Sequence, residues 1–211
     1  MQTLKDLPPA TRKRLVQLEE LLKSWSGEKI TSAKICELTG WKDSLVRHDL
    51  WLIQTVVSEN SATIRGWKNG YDTATLLKFI QNALCKEKPN NSTNVCIAGL
   101  GRLGAALLDD SLFEASQFVI KAGFDSNVNR VEILRSTFPL YPAAEMNWVI
   151  KQEKITLAIL AVADKDAQQM CDRLVKAGIT GIVNMTRAVL KVPESIKVEN
   201  LSVLNALKLI N

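Results

Sequence analysis

Apolar positions set the first division of the chain. Up to residue 85 they recur every three or four residues, the spacing of helix faces; beyond residue 93 they gather into short runs separated by amphipathic stretches. Pro8-Pro9 opens a first helix that carries Leu15, Leu18, Leu22 and Trp25 on one side and stops at Gly27. Thr31 caps a second, Ser32 to Leu38, which Gly40 ends. Asp43 or Ser44 caps a third, with Leu45, Val46, Leu50, Leu52 and Ile53 expected on its buried side. Ser58 to Tyr71 has Ser, Asn and Gly but no helical stripe and reads as a β-loop, and a fourth helix runs from Thr73 to Cys85.

The polar, Pro-containing stretch 86–93 reads as a linker. We therefore expect a helical domain over residues 1–87 and a second domain over 88–211. Apolar runs at Asn94–Ala98, Phe118–Phe124, Ile155–Val162 and Gly181–Met185 predict strands. Helical patterns between them imply a parallel sheet covered on both faces, an α/β doubly wound arrangement. Asp164 or Asp166 is placed to cap the helix through Val175, which Gly178 ends.

The first of these strands runs directly into Gly99-Leu100-Gly101-Arg102-Leu103-Gly104, ahead of an expected helix through Ala105-Ala106-Leu107-Leu108. A strand, G-x-G-x-x-G and a helix form the fingerprint of dinucleotide binding. One glycine serves the tight turn, the next lets the backbone approach a pyrophosphate, and the last allows close helix–strand packing. Amides and dipole at the helix start favour phosphate. Asp125 ends the next strand 21 residues after Gly104, placed to bond both adenosine ribose hydroxyls. Its charge repels a 2′-phosphate, so NAD(H) is favoured over the 2′-phosphorylated cofactor.

Composition narrows the picture further. Hydrophobic residues make up 46% of the 211, enough for two cores, yet no apolar run approaches the roughly 20 residues of a bilayer span. The N-terminus lacks the apolar stretch of a signal peptide, so a cytoplasmic protein without a membrane partner is expected. Cys36, Cys85, Cys96 and Cys171 form no C-x-x-C pair and read as buried thiols; with a single histidine, no metal site is expected. Residues 1–88 carry 14 Lys and Arg against 10 Asp and Glu, a net of +4, while 89–211 carry only +1. That bias suits a polyanion partner for the first domain.

Helix, short helix, glycine turn, helix and β-loop is the order of a winged helix-turn-helix, whose third helix enters the major groove. Ser44, Arg47, His48 and Trp51 share the outer face of that helix, with Lys42 just before it. Arg47 can read guanine bidentately, or pair with Asp43 one turn earlier; Ser44 and His48 can bond phosphate or a base edge. In the loop, Arg65 and Lys68 flank Trp67 and would neutralise backbone charge. Dehydrogenase chemistry is disfavoured: the one histidine lies in the helical domain, and Tyr141 lacks a lysine four residues on.

Together these segments resemble the Rex family of redox-sensing repressors. The likeness rests on residues 31–50 (TSAKICELTGWKDSLVRHDL), Gly70-Tyr71-Asp72, the glycine loop, Phe124-Asp125, Ala161-Val162-Ala163, Ala177-Gly178-Ile179 and Gly181-Ile182-Val183-Asn184. The resemblance implies a homodimer on a palindromic operator and NAD(H) held by residues 99–104, Asp125, Val162, Ala163 and Asn184. It also implies a C-terminal helix, here 200–210, that swaps beneath the partner's winged helix, and release from DNA by NADH. Where the family carries a Tyr segment, this chain has Asp109-Asp110-Ser111-Leu112; where it carries an Asp opening the last helix and an Arg on the first, Ser202 and Val16 stand. Two alternatives stay open: a diverged regulator that keeps the dinucleotide as a structural ligand or answers another signal, and a small NAD-dependent oxidoreductase.

Overall fold

The computed structural model describes residues 7–57, 70–84, 92–114 and 116–210, and the chain divides into two compact units, Met1–Asn90 and Asn91–Asn211. The first holds α1 (Pro9–Ser24), β1 (Lys29–Ile30), α2 (Ser32–Thr39), α3 (Asp43–Val57), β2 (Tyr71–Asp72) and α4 (Thr73–Leu84). The signals that start and stop these helices are local. Pro9 sits in the first turn of α1, where its missing N–H costs nothing. The Thr31 hydroxyl accepts from the Lys34 N–H at 3.1 Å, and Gly40 ends α2 at a φ of 72° that a Cβ would disfavour. Asp72 starts α4 by accepting from the Thr75 N–H at 2.8 Å.

Leu15, Leu18, Leu22, Ile35, Val46, Leu50, Ile53, Leu76 and Ile80 form the core of this unit. The outer edge of α3 differs from expectation: Leu45 is exposed and Leu52 only partly buried. The buried stripe is Val46, Asp49, Leu50 and Ile53, because Asp49 has a partner that periodicity does not show. Its carboxylate accepts from Thr11 Oγ1 at 2.9 Å, Arg14 Nε at 2.6 Å and Arg14 Nη2 at 2.9 Å, tying α3 to α1. That bond also raises the Arg14 pKa, the hydrogen bond to Asp49 being the main cause. Asp49→Ala leaves Arg14 without its carboxylate and should cost this unit about 3 kcal/mol. Calorimetric unfolding should show its transition at a lower temperature while that of the second unit stays in place.

The second unit carries β3 (Thr93–Ala98), α5 (Arg102–Ala105), β4 (Phe118–Asp125), α6 (Val128–Ile133), β5 (Leu140–Pro142), α7 (Met146–Gln152), β6 (Leu157–Leu160), α8 (Ala167–Ala177), β7 (Gly181–Asn184), β8 (Lys197–Asn200) and α9 (Val203–Ile210). Its six strands are all parallel, in the order β5-β4-β3-β6-β7-β8. This is the doubly wound Rossmann arrangement, in which the chain reverses direction across the sheet between β3 and β6 and opens a crevice there. Cys96, Ala98, Phe124, Ala158, Leu160 and Ile182 face one helix layer, and Val95, Ile97, Ile120 and Ile159 face the other. Cys96 and Cys171 are buried thiols, whereas Cys36 is only partly covered; Cys85 lies outside the described residues. Burial pushes the Cys96 thiol up to about 12.

Two local expectations are corrected. The helix after the glycine loop ends at Ala105 instead of continuing through Leu108, because Asp109 captures the Ser111 N–H at 3.0 Å and starts a 3-10 turn. Asp166 does hold the N-cap position of α8 but makes no side-chain cap bond; Asp164 instead accepts from the Arg187 backbone N–H at 2.9 Å and from Arg187 Nε at 2.7 Å. Those bonds, the backbone one first, hold the Asp164 carboxyl below the usual range. At the far end, Asn200 belongs to β8, and the Ser202 hydroxyl accepts from the Asn205 N–H at 3.3 Å to open α9. Among the described residues no helix is long and apolar enough to cross a membrane, and no His, Cys, Asp and Glu group could hold a metal.

Candidate functional site

A cleft of about 510 Å³ opens at the carboxyl ends of β3, β4 and β6, where the strand order reverses. Gly99, Gly101, Asp125, Arg130, Val162 and Ala163 are among its lining residues. Each glycine of the loop has a distinct reason to lack a side chain. Gly99 turns at a φ of 99°, and a Cβ there would lie 2.7 Å from the Ala161 backbone. Gly104 packs against the loop itself, so a Cβ would collide with the Gly99 carbonyl oxygen. Gly101 has extended backbone and nothing within 4 Å of a Cβ; its open side is the cleft.

The loop is held from the next strand. The Gly99 N–H donates to the Phe124 carbonyl at 2.8 Å, and the Leu100 N–H to Asp125 Oδ2 at 2.8 Å. Asp125 is buried and also accepts from the Asn127 N–H at 2.7 Å and from Arg130 Nη1 at 3.3 Å. Across the cleft, Arg173 donates to the Ala143 carbonyl. The four-residue α5 carries little macrodipole, so attraction for an anion here rests on backbone amides of the first turn.

The expected ligand residues do not all meet at this place. Gly99, Gly101, Asp125, Val162 and Ala163 line the cleft, whereas Leu100 is buried and its N–H is spent on Asp125. Arg102 and Leu103 are exposed at the start of α5 and do not line it. Asn184 is fully buried, with its amide spent on Ala188, Asn200 and Thr186, so it braces the turns after β7 and β8. Ser126, Asn127, Arg130, Asp166 and Gln169 also line the cleft, unforeseen from the sequence. The one available signal was Arg130, a base five residues beyond the ribose-type acid.

In the first unit, Ser44, Arg47, His48 and Trp51 are all exposed along α3, and Lys42 is exposed just before it. Arg47 Nε rests on Asp43 Oδ2 at 2.7 Å, one of the two partners open to it from the sequence. Such an exposed pair is worth about 0.3–0.5 kcal/mol and yields readily to a stronger acceptor. The His48 ring stands 6.2 Å from that of Trp51. Arg65 and Lys68 lie outside the described residues.

Comparison with known proteins covers the same ground. A CoA binding domain model matches residues 90–188, the Rossmann unit up to the turn after β7. The redox-sensing transcriptional repressor Rex of Limosilactobacillus reuteri is 30% identical over 207 residues, covering 97% of this chain and 92% of that protein. Rex of Ligilactobacillus salivarius is 31% identical over 96% and 91%. The crystal structure of RSP, a Rex-family repressor, is similar at a TM-score of 0.80 and 26% identity, covering 97% of this chain and 91% of that one. RSP with β-NAD+ and operator DNA gives 0.83 at 25%, covering 97% and 90%; RSP with β-NADH gives 0.82 at 26%, covering 97% and 92%. With sequence likeness of this extent running through both units, the chain belongs to the Rex family of redox-sensing transcriptional repressors.

Proposed function

We propose that this protein is a dimeric DNA-binding repressor whose Rossmann unit carries NAD(H) and relays the NADH/NAD ratio to an operator. Residues 1–87 serve as the DNA-binding domain and 88–211 as the dinucleotide domain with its dimerisation helix. The observation that carries the reading is a Gly99–Asp125 crevice at the strand-order reversal, in a chain whose α3 presents an exposed Ser44, Arg47 and His48 face. The pyrophosphate lies against the Gly99–Gly104 backbone, where Gly101 leaves the approach open, and Asp125 takes the adenosine ribose. Val162 and Ala163 border the path toward the nicotinamide.

On the DNA side, Arg47 leaves Asp43 for a base edge, and Lys42, Ser44 and His48 hold the phosphates on either side. Arg65 and Lys68 are placed on the wing by sequence order. A regulatory role fits better than turnover, because the chain's single histidine belongs to α3 of the helical unit and Tyr141 lacks a lysine four residues on. RSP has been crystallised with β-NAD+ and operator DNA and with β-NADH, the pair of states this role requires.

Fluorescence anisotropy with a palindromic duplex tests the DNA arm. Arg47→Ala should weaken specific binding by roughly 1–3 kcal/mol if the guanidinium reads a base. Equal loss on specific and scrambled duplexes would move Arg47 to the phosphates, and no affinity for any duplex by the parent protein would remove the reading.

A further inference from the structure

The acid that receives the ribose is already nearly saturated with donors. Asp125 Oδ1 accepts from the Asn127 N–H, and Oδ2 from both the Leu100 N–H and Arg130 Nη1. A carboxylate offers about four lone-pair sites, so one remains for a ribose that brings two hydroxyls. Two of the three donors are backbone amides fixed by the glycine turn and by the turn after β4. The third is a half-exposed side chain with the longest of the three bonds, 3.3 Å. Arg130 is therefore the donor that must give way, and its guanidinium is left beside the ribose 2′ position.

We propose that Arg130 is a specificity-determining residue for the 2′ position of the bound nucleotide: Asp125 holds it in check, and with that carboxylate neutralised it receives a 2′-phosphate. This rests on the dinucleotide reading of the cleft. The chemistry is that of a guanidinium meeting a phosphate, which it can bond in a forked, charge-assisted way. An arginine near the ribose acid is also how Rossmann domains accommodate the 2′-phosphate. In the parent protein two opposed effects meet at one atom: the buried Asp125 charge repels a phosphate, and Arg130, already paired to that charge, is only partly available to attract it.

The test is a set of calorimetric titrations of the full-length protein with NADH and with NADPH. The parent should favour NADH. Arg130→Ala should widen the NADH-to-NADPH affinity ratio about tenfold, by removing the attraction for the extra phosphate. Asp125→Asn and Asp125→Ser should each narrow or invert it by about tenfold, and Arg130→Ala added to either should cancel that gain. Two Asp125 variants are used because either can disturb the Leu100 amide; the Arg130→Ala arm leaves the carboxylate in place. NADH binding by the parent with an unchanged ratio in Arg130→Ala, or an NADPH gain that survives in the double variants, overturns this proposal alone. Binding of neither nucleotide by the parent overturns the dinucleotide reading and this proposal with it.

Discussion

Gly101→Val is expected to fold as the parent does and to bind NADH at least about a hundredfold more weakly, close to 3 kcal/mol at 1.4 kcal/mol per decade. The two halves of that expectation come from different sides of one residue. Its backbone is extended, at φ −70° and ψ −163°, which valine tolerates, and a Cβ there touches no protein atom within 4 Å. No contact of an added Cβ therefore resists the substitution. The open side, however, is the cleft wall against which a pyrophosphate must lie at backbone distance, and three extra carbons fill that space. Gly99 and Gly104 cannot give so clean a result, since added side chains there strike Ala161 and the loop's own carbonyl. Thermal unfolding beside an NADH titration separates the two effects. A variant that unfolds early, or one that binds NADH as the parent does, would contradict the assignment.

The second large effect concerns α9. Leu201, Val203, Leu204, Leu207 and Ile210 are all more than half exposed on or beside this short helix. So short an element is marginal in water without a packed face. A second copy of the chain supplies that face in the dimer proposed above. Leu204→Asp with Leu207→Asp removes four leucines from the symmetric interface. At about 1.5 kcal/mol each, dimerisation should weaken by about 6 kcal/mol, or roughly four decades in Kd. Sedimentation should find monomers at micromolar concentration, and binding to a palindrome should fall toward that of a single half-site. A double variant that remains dimeric would place the interface elsewhere.

The sequence made the glycine loop and several helix ends legible because both depend on few residues close together. Thr31, Gly40 and Gly178 act within one turn of chain, and Gly99, Gly101 and Asp125 follow from strand ends. What it concealed was pairing at long range. Asp49 stands outside the apolar stripe expected for α3, and only Arg14, 35 residues earlier, accounts for its burial. Asn184 reads as a ligand group until Asn200, Thr186 and Ala188 absorb its amide. Two strands of the parallel sheet were missed for related reasons. β5 is three residues ending in proline, and β8 is a largely exposed edge whose pattern resembles a loop. The helix after the glycine loop was overdrawn because Ala105 to Leu108 has helical propensity, which the Asp109–Ser111 turn overrides. Arg130 was passed over because its importance depends on how many donors Asp125 already has.

The proposed sensor role requires the two sites to be coupled, and that coupling has a direct measure. A ligand moves a conformational equilibrium only through different affinities for its two states, and the coupling must be reciprocal. Operator affinity should therefore be measured by anisotropy at fixed salt, with the purified dimer titrated against NADH and, separately, NAD+. The account predicts that NADH weakens operator binding while NAD+ preserves it, and that bound operator lowers NADH affinity by the same factor. Operator affinity indifferent to both nucleotides, although both bind, would contradict it.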